Sequence, residues 1–287
     1  MSYSISIAGI EFHITTPGGI RPSNKVKHFM LKSNDIRKPD IKLCITYQEN
    51  ISIPAHTVSL DEHIKWSGED IDGSEITIYL SRKEQAHYCL KVNKDWSSAV
   101  MLANVKKRHI CSQLQGPLGE ILFRNCLLNH QGIVIHGAAI RCNNRGIIFS
   151  APSGTGKTTQ ANLWRKYKGA KIINADRPAI RIIENTPYVY GTLWNDSLRE
   201  CMNTNVRLDM IVVLEQSPVN EIIRLSEAEA VAKVMPRCFL PYFAGGIMNL
   251  ALENLEKVIE VTPVYLLKCR PDKEAMELVS QCMEQVP

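Results

Sequence analysis

The sequence predicts a mixed α/β fold in two parts, a β-rich N-terminal region over residues 1–114 and an α/β domain over residues 115–287. In the first part, polar and apolar residues alternate as they do in strands. In the second part, short apolar runs typical of buried strands are separated by segments with helical spacing. A glycine-rich turn joins one such strand to one such helix, and this turn carries the strongest chemical signal in the chain.

The bulk composition is typical of a soluble, cytoplasmic globular protein. Of the 287 residues, 45% are hydrophobic and 22% are charged, as in most proteins with a packed core. The N-terminus lacks the pattern of a signal peptide, and no stretch approaches the roughly 20 apolar residues that cross a membrane. Nine cysteines without a Cys-x-x-Cys pair favour reduced thiols over disulfides or a zinc site. A net charge of +5 suits an anionic ligand but is too small to indicate nucleic acid.

The N-terminal region is predicted to be a layer of strands without a chemical motif. Strand patterns occur at Ser4–Ile10, Ile41–Tyr47 and Glu75–Leu80, and polar, turn-forming segments lie between them. We interpret the region as an accessory layer or a recognition module.

The C-terminal region is predicted to alternate strands with helices that pack on a sheet. An amphipathic helix is expected over residues 115–130, and Ser226 with Glu229 resembles a capping box at another helix start. Further strands are predicted at Gly132–Ile135, Gly146–Ser150, Lys171–Ile173, Pro178–Ile183, Tyr188–Tyr190, Met210–Leu214 and Val264–Leu267, and further helices at Thr158–Lys168, Ser226–Met235 and Asp272–Met283.

The glycine-rich turn fits the Gly-x-x-x-x-Gly-Lys-Thr pattern of nucleotide-binding loops, with Ala151 in place of the first glycine. Gly154 and Gly156 allow the backbone to curl so that several N–H groups face one concavity, to which the next helix adds its positive end. Lys157 can reach the β- and γ-phosphates of ATP, and Thr158 can ligate the Mg²⁺ that bridges them. The alternative is a structural turn with a surface lysine. The predicted nucleotide-binding residues are Ser153, Gly154, Thr155, Gly156, Lys157, Thr158 and Thr159.

A carboxylate is expected near this loop, because a phosphate-bound metal needs an acidic ligand. Asp176 follows a buried-looking strand at the expected distance from Lys157; the alternative is a turn aspartate. Arg177 could contact phosphate or pair with Asp176. His136 ends the strand before the loop strand, and Gly137 permits a close backbone approach there, so His136 is either a site residue or a structural histidine.

Together these elements resemble the catalytic domain of the HPr kinase/phosphorylase family and of related serine kinases, including those that act on ribosomal peptide precursors. The resemblance is clearest over residues 130–200 and looser from there to Asp272. The matching motifs are Ile135-His136-Gly137, Ser153-Gly154-Thr155-Gly156-Lys157-Thr158, Asn174-Ala175-Asp176-Arg177 and Tyr190-Gly191-Thr192-Leu193-Trp194-Asn195-Asp196-Ser197.

The resemblance implies a core related to phosphoenolpyruvate carboxykinase and transfer of the γ-phosphoryl group of ATP to a serine hydroxyl. It implies that Lys157 contacts phosphates, that Thr158 and Asp176 hold Mg²⁺, and that His136 lines the site. Relatives often assemble, so a homo-oligomer is expected on the same basis. The acceptor would be a peptide or a small protein; a small-molecule kinase on the same scaffold is the alternative.

One position departs from the family pattern. HPr kinases carry two consecutive aspartates before the arginine, and the first is thought to act on the incoming hydroxyl; here that position is Ala175. The proton could instead be accepted by His136 or Asp196, or its removal could matter little, because phosphoryl transfer depends mainly on positioning and charge neutralisation. If no substitute exists, the chain would be a nucleotide-binding module with little activity.

Overall fold

The computed structural model of the chain describes residues 1–18, 21–32, 38–55, 57–60, 62–69, 75–82, 85–105, 114–195, 201–242 and 245–285. It divides into two compact units, Met1–Asn129 with Tyr242–Ala244, and His130–Pro241 with Gly245–Pro287. The mixed α/β class is confirmed by the mixed sheets of the chain. The first unit extends to Asn129 because one helix packs on the N-terminal strands. The separate roles of the two regions stay a prediction.

The first unit contains one sheet, which has eight strands within the described residues, in the order β1-β2-β3-β8-β7-β6-β5-β4. Neighbouring strands are antiparallel except for the pairs β2–β3 and β3–β8, which are parallel. The strands are β1 (Ser2–Ile7), β2 (Ile10–Thr15), β3 (Ile41–Gln48), β4 (Val58–Ser59), β5 (Ile64–Glu69), β6 (Glu75–Arg82), β7 (Gln85–Asn93) and β8 (Ser98–Asn104).

Two helices belong to the first unit, α1 (Asn24–Lys27) and α2 (Pro117–Leu128). Helix α2 confirms the predicted helix over residues 115–130, and it packs against β6 and β7. It is less amphipathic than the sequence suggests, because even Glu120 and Asn125 are buried.

The second unit also contains one sheet, with nine strands in the described part of the chain. Its path is β12-β10-β11-β15-β14-β13-β9, while β17 pairs with β15 and β16 with β17. The strands are β9 (Gly132–Val134), β10 (Gly137–Cys142), β11 (Arg145–Ser150), β12 (Lys171–Asn174), β13 (Ala179–Ile183), β14 (Thr186–Tyr190), β15 (Asn205–Gln216), β16 (Glu221–Arg224) and β17 (Val264–Cys269). The helices are α3 (Lys157–Lys168), α4 (Glu227–Val234), α5 (Gly245–Val261) and α6 (Lys273–Gln285).

Strand β15 joins an antiparallel part of this sheet to a parallel part. Its first residues pair antiparallel with β14, whereas its remainder pairs parallel with β11 and β17. The carboxyl ends of β11, β15 and β17 therefore lie at one edge of the sheet. Ligands of open α/β sheets bind outside such an edge, and the glycine-rich turn follows β11 there.

The core of the second unit centres on Trp164 of α3, which is fully buried. Its ring centroid lies 6.4 Å from that of Phe149 on β11. Helix α6 adds Ala275, Met276 and Val279 to the same cluster, and α5 packs on the part of the sheet formed by β9, β13 and β14.

The capping box of Ser226 and Glu229 at the start of α4 is confirmed. Helix α5 and strands β10 and β16 are additions that the sequence patterns did not predict.

Each cysteine in the described ranges is a free thiol. In the part of the chain that the structure describes, none of the helices has the length and apolar character needed to span a bilayer.

Gly191, which follows β14, occupies a position without room for a side chain. Its N–H donates to the Thr204 carbonyl at 3.0 Å, and a Cβ would collide with the Met202 carbonyl oxygen. We expect Gly191→Ala to lower the free energy of unfolding by about 1–3 kcal/mol, because backbone atoms would have to move apart. Gly246→Ala is a matched control, since a Cβ there meets nothing within 4 Å. Chemical denaturation followed by circular dichroism measures both, and equal stabilities would contradict the expectation.

Candidate active site

The glycine-rich loop (residues 151–156) connects β11 to α3 with the geometry of an anion-binding turn. Gly154 has φ 79° and Gly156 has φ 118°, so both adopt the left-handed backbone that favours glycine. Gly156 is also the N-cap of α3, where the described residues supply no side-chain cap and the first turn holds no acidic residue. The first N–H groups of α3 thus remain available to an anion at the positive end of the helix.

Lys157 begins α3 and turns back onto the loop. Its Nζ donates to the carbonyl oxygens of Ala151 at 3.0 Å and of Pro152 at 3.1 Å, and only 7% of the residue is exposed. Burial lowers the pKa of Lys157, Asp176 opposes this shift and Arg237 adds to it. The ammonium group is therefore held at the loop, and a phosphate would have to draw it from these two carbonyls.

The turn that carries Asp176 is shaped by the buried side chain of Asn174, which ends β12. Asn174 Oδ1 accepts the N–H groups of Asp176 at 3.0 Å and of Arg177 at 2.7 Å. Its Nδ2 donates to Thr192 Oγ1 at 3.1 Å, and Thr192 Oγ1 donates to the Arg177 carbonyl at 2.7 Å. The sequence analysis quoted Asn174 and Thr192 only within motifs; the structure shows that they hold the acidic turn.

His136 and Asp176 are brought together by backbone pairing at the start of β10. The N–H of Gly137 donates to the Asp176 carbonyl at 2.9 Å, and Ser150 Oγ donates to the His136 carbonyl at 2.9 Å. His136 Nε2 lies 3.5 Å from Asp176 Oδ1. Arg177 Nε donates to Asp176 Oδ2 at 3.2 Å, so Arg177 pairs with Asp176.

The charges around His136 favour its neutral form. Burial lowers the pKa of His136 below its ordinary value, as do the charges of Lys157, Arg177 and Arg237, while Asp176 alone among the named charges raises it. The imidazole is therefore uncharged at neutral pH, and it can accept a proton.

Arg237 acts on the site through its charge, and no sequence pattern indicated this role. The segment after α4 runs antiparallel to the end of β9, so that His136 N–H donates to the Arg237 carbonyl at 2.7 Å. Arg237 Nε is buried and has no hydrogen-bond partner among the described residues, and its charge affects both His136 and Lys157. Nearby, the Arg177 guanidinium lies 5.0 Å from the Phe239 ring centroid. No local motif marks Arg237, because the fold alone brings it to the loop.

A cavity of about 450 Å³ lies at the glycine-rich loop, beside His136, Lys157 and Asp176. Thr155 is the one predicted loop residue that does not line it; Thr155 lines an adjacent cavity instead. Asp196, the other suggested proton acceptor, lies outside the described residues. The lining residues are His136, Ser153, Gly154, Gly156, Lys157, Thr158, Thr159, Ala175, Asp176 and Asn195.

The cavity offers oxygen ligands of the kind that Mg²⁺ prefers. The Thr158 hydroxyl and the Asp176 carboxylate both line it, and hard oxygen donors of this kind hold Mg²⁺ together with substrate phosphates. Among the described residues, no group of three or more His, Cys, Asp or Glu side chains could hold a metal by itself. The donor set therefore fits a metal that arrives with a phosphate ligand.

Comparisons with known proteins give little information on the function of this site. No protein-family profile matches the sequence, and no curated protein matches it either. The solved structure of the Hpr(Ser) kinase/phosphatase from Coxiella burnetii is similar to this chain over 53% of this chain and 96% of that chain, at 8% sequence identity and a TM-score of 0.32. A common activity does not follow from similarity at this level, so the function must be inferred from the site itself.

Proposed function

We propose that this protein is an ATP- and Mg²⁺-dependent kinase that transfers the γ-phosphoryl group to a serine hydroxyl of a peptide or small protein. The observation that carries the proposal is the convergence of an uncapped helix start, Lys157, Asp176 and His136 on one cavity. Amide N–H groups and a lysine bind phosphates, while a carboxylate and a hydroxyl suit the metal that accompanies them.

In the proposed reaction, the glycine-rich loop and the start of α3 bind the triphosphate through their N–H groups. Lys157 leaves the carbonyls of Ala151 and Pro152 for the β- and γ-phosphates. Arg237 adds its positive charge, which acts on both Lys157 and His136. Negative charge on the phosphoryl oxygens in the transition state is stabilised by these fixed cations.

Thr158 and Asp176 would hold Mg²⁺, which would neutralise charge on the β- and γ-phosphates. The serine oxygen of the acceptor forms a bond to the γ-phosphorus as the bond from that phosphorus to the β–γ bridging oxygen breaks, and ADP leaves. The hydroxyl proton passes to neutral His136, whose ring is oriented by Asp176. This role compensates for Ala175, which stands at the position of the first of the two consecutive aspartates in HPr kinases.

Support for the acceptor class comes from the resemblance of the four motifs to those of serine kinases. A small-molecule acceptor would use the same loop, and radiolabel transfer to peptides compared with metabolite pools separates the two. A nucleotide-binding module without activity is a second candidate. Ala175 lines the cavity beside Asp176, and its methyl side chain cannot accept the proton of a hydroxyl group.

Lys157→Ala is expected to abolish measurable binding of Mg-ATP together with phosphoryl transfer, since it removes the ammonium group from the loop. Isothermal titration calorimetry and transfer of label from γ-labelled ATP measure the two effects. Lys168→Ala is the control, because Lys168 is an exposed residue in the last turn of the same helix. Wild-type affinity in Lys157→Ala would show that the loop does not bind nucleotide.

His136→Gln is expected to reduce the transfer rate by about 10²-fold, within the usual range for loss of a general base. In the wild type, activity should fall with decreasing pH only below pH 6.5, the ordinary histidine pKa, because the shift of His136 is downward. The variant should lose this acidic limb. An unchanged pH–rate profile in His136→Gln would exclude His136 as the proton acceptor.

Ala175→Asp tests whether the wild type is already a complete enzyme. If His136 accepts the proton, the substitution should change the transfer rate by less than about tenfold, because a second proton acceptor adds little where one is already in place. Ala175→Asn controls for size without charge. Transfer that appears only in Ala175→Asp would instead favour the inactive nucleotide-binding module.

A further inference from the structure

A second cavity lies on the other side of the glycine-rich loop, at the carboxyl ends of β15 and β17. Its volume is about 510 Å³. Gly154, Gly156 and Thr159 line this cavity as well as the first one, so the two adjoin across the backbone of the loop. A ligand whose phosphates occupy the first cavity could therefore extend into the second.

The floor of the second cavity contains an unsatisfied polar group. Gln160 of α3 is only 2% exposed, and its Nε2 donates to Cys269 Sγ at 3.5 Å. Its Oε1 is buried without a hydrogen-bond partner among the described residues. Burial raises the pKa of Cys269, so the thiol is neutral. It therefore places no negative charge beside Gln160. A buried acceptor of this kind is costly unless a ligand or water donates to it.

The wall of the cavity contains a guanidinium group whose orientation is fixed by hydrogen bonds. Arg270 donates through Nε to Asp272 at 2.8 Å, through one terminal nitrogen to the Pro218 carbonyl at 2.9 Å, and through the other to Glu274 at 2.9 Å. Asn220 in turn donates to both carboxylates. The guanidinium is thus fixed at its edges, and its face is the part left for a ligand.

The remaining lining is suited to a flat, partly apolar molecule. Leu214, Pro218 and Pro271 supply apolar surface, and Gln216 and Ser217 add polar groups. Guanidinium groups stack on planar rings, and a fixed guanidinium loses little conformational entropy when a ring lies on it. The pairing of a flat cationic face with a buried acceptor is selective for a planar ring that carries an N–H donor at its edge.

We infer that the second cavity is the subsite for the base of a purine nucleotide, in which the ring lies on the Arg270 guanidinium and an exocyclic amine donates to Gln160 Oε1. This inference rests on the proposed function, because it assumes that the phosphates of the same nucleotide occupy the first cavity. It adds selectivity for adenine: inosine triphosphate carries a carbonyl oxygen in place of the amine, and two acceptors would then face each other.

The test compares ATP, inosine triphosphate and tripolyphosphate, each with Mg²⁺, by isothermal titration calorimetry on the full chain. The wild type should bind ATP about tenfold more tightly than inosine triphosphate, a ratio in keeping with one hydrogen bond lost and one acceptor left unpaired. Gln160→Leu removes the acceptor at similar volume and should abolish this preference. Arg270→Lys keeps the charge without the planar group and should weaken ATP binding about three- to fivefold. Neither substitution should change the affinity for tripolyphosphate.

Other results would overturn the inference. If the wild type binds ATP and tripolyphosphate equally, or does not distinguish ATP from inosine triphosphate, the cavity does not recognise the base. The same conclusion follows if both variants change the affinities for ATP and tripolyphosphate by one common factor. If the wild type binds none of the three compounds, the proposed kinase function itself fails, and that outcome is distinct from loss of base recognition alone.

Discussion

The acidic turn of the site depends on one buried carboxamide, that of Asn174. A fully buried amide is costly unless its donors and acceptor find partners, and here Oδ1 accepts two successive backbone N–H groups while Nδ2 donates to Thr192. These bonds connect the end of β12, the turn that carries Asp176 and the segment after β14. Any rearrangement of the Asp176 turn would leave the amide unsatisfied, so the carboxylate is fixed before a ligand arrives.

The charges around that carboxylate are unbalanced in favour of cations. Lys157, Arg177 and Arg237 all act on His136, whereas Asp176 is the one acidic group that shifts its pKa. In a partly buried cavity such an excess favours an anionic ligand, because the cost of removing the cations from water has already been met during folding. Burial, together with the same excess of positive charge, lowers the pKa of His136 and keeps the ring neutral. The proposed ligand binding and the proposed proton acceptance thus depend on one distribution of charge.

Local features of the site could be predicted from the sequence, because each depends on a few consecutive residues. The left-handed glycines at 154 and 156, the helix that follows them and the place of Asp176 after a strand all follow from short-range patterns. Arg237 could not be predicted, since it reaches the loop only through pairing between segments far apart in sequence. Gln160 and Arg270 were missed for a similar reason: a polar residue within a helix and an arginine after a strand are ordinary in sequence, and only the fold places them in one cavity.

Misjudged elements have equally specific causes. Helix α5 begins with Gly245 and Gly246, which on sequence indicate a turn, yet the apolar residues that follow bury one side of the helix against the sheet. Helix α2 was expected to expose a polar face, but burial of Glu120 and Asn125 shows that its surroundings enclose that face as well. In both cases tertiary packing outweighs local propensity.

Strand β15 pairs antiparallel near its start and parallel over the rest of its length, and this has a consequence for how the chain can change over time. A single inserted or deleted residue within Asn205–Gln216 would turn every following side chain to the opposite face of the sheet. The ladders to β11 and β17 would then be lost together with the cavity edge at Leu214 and Gln216. Variation in length is therefore tolerable only before or after this strand.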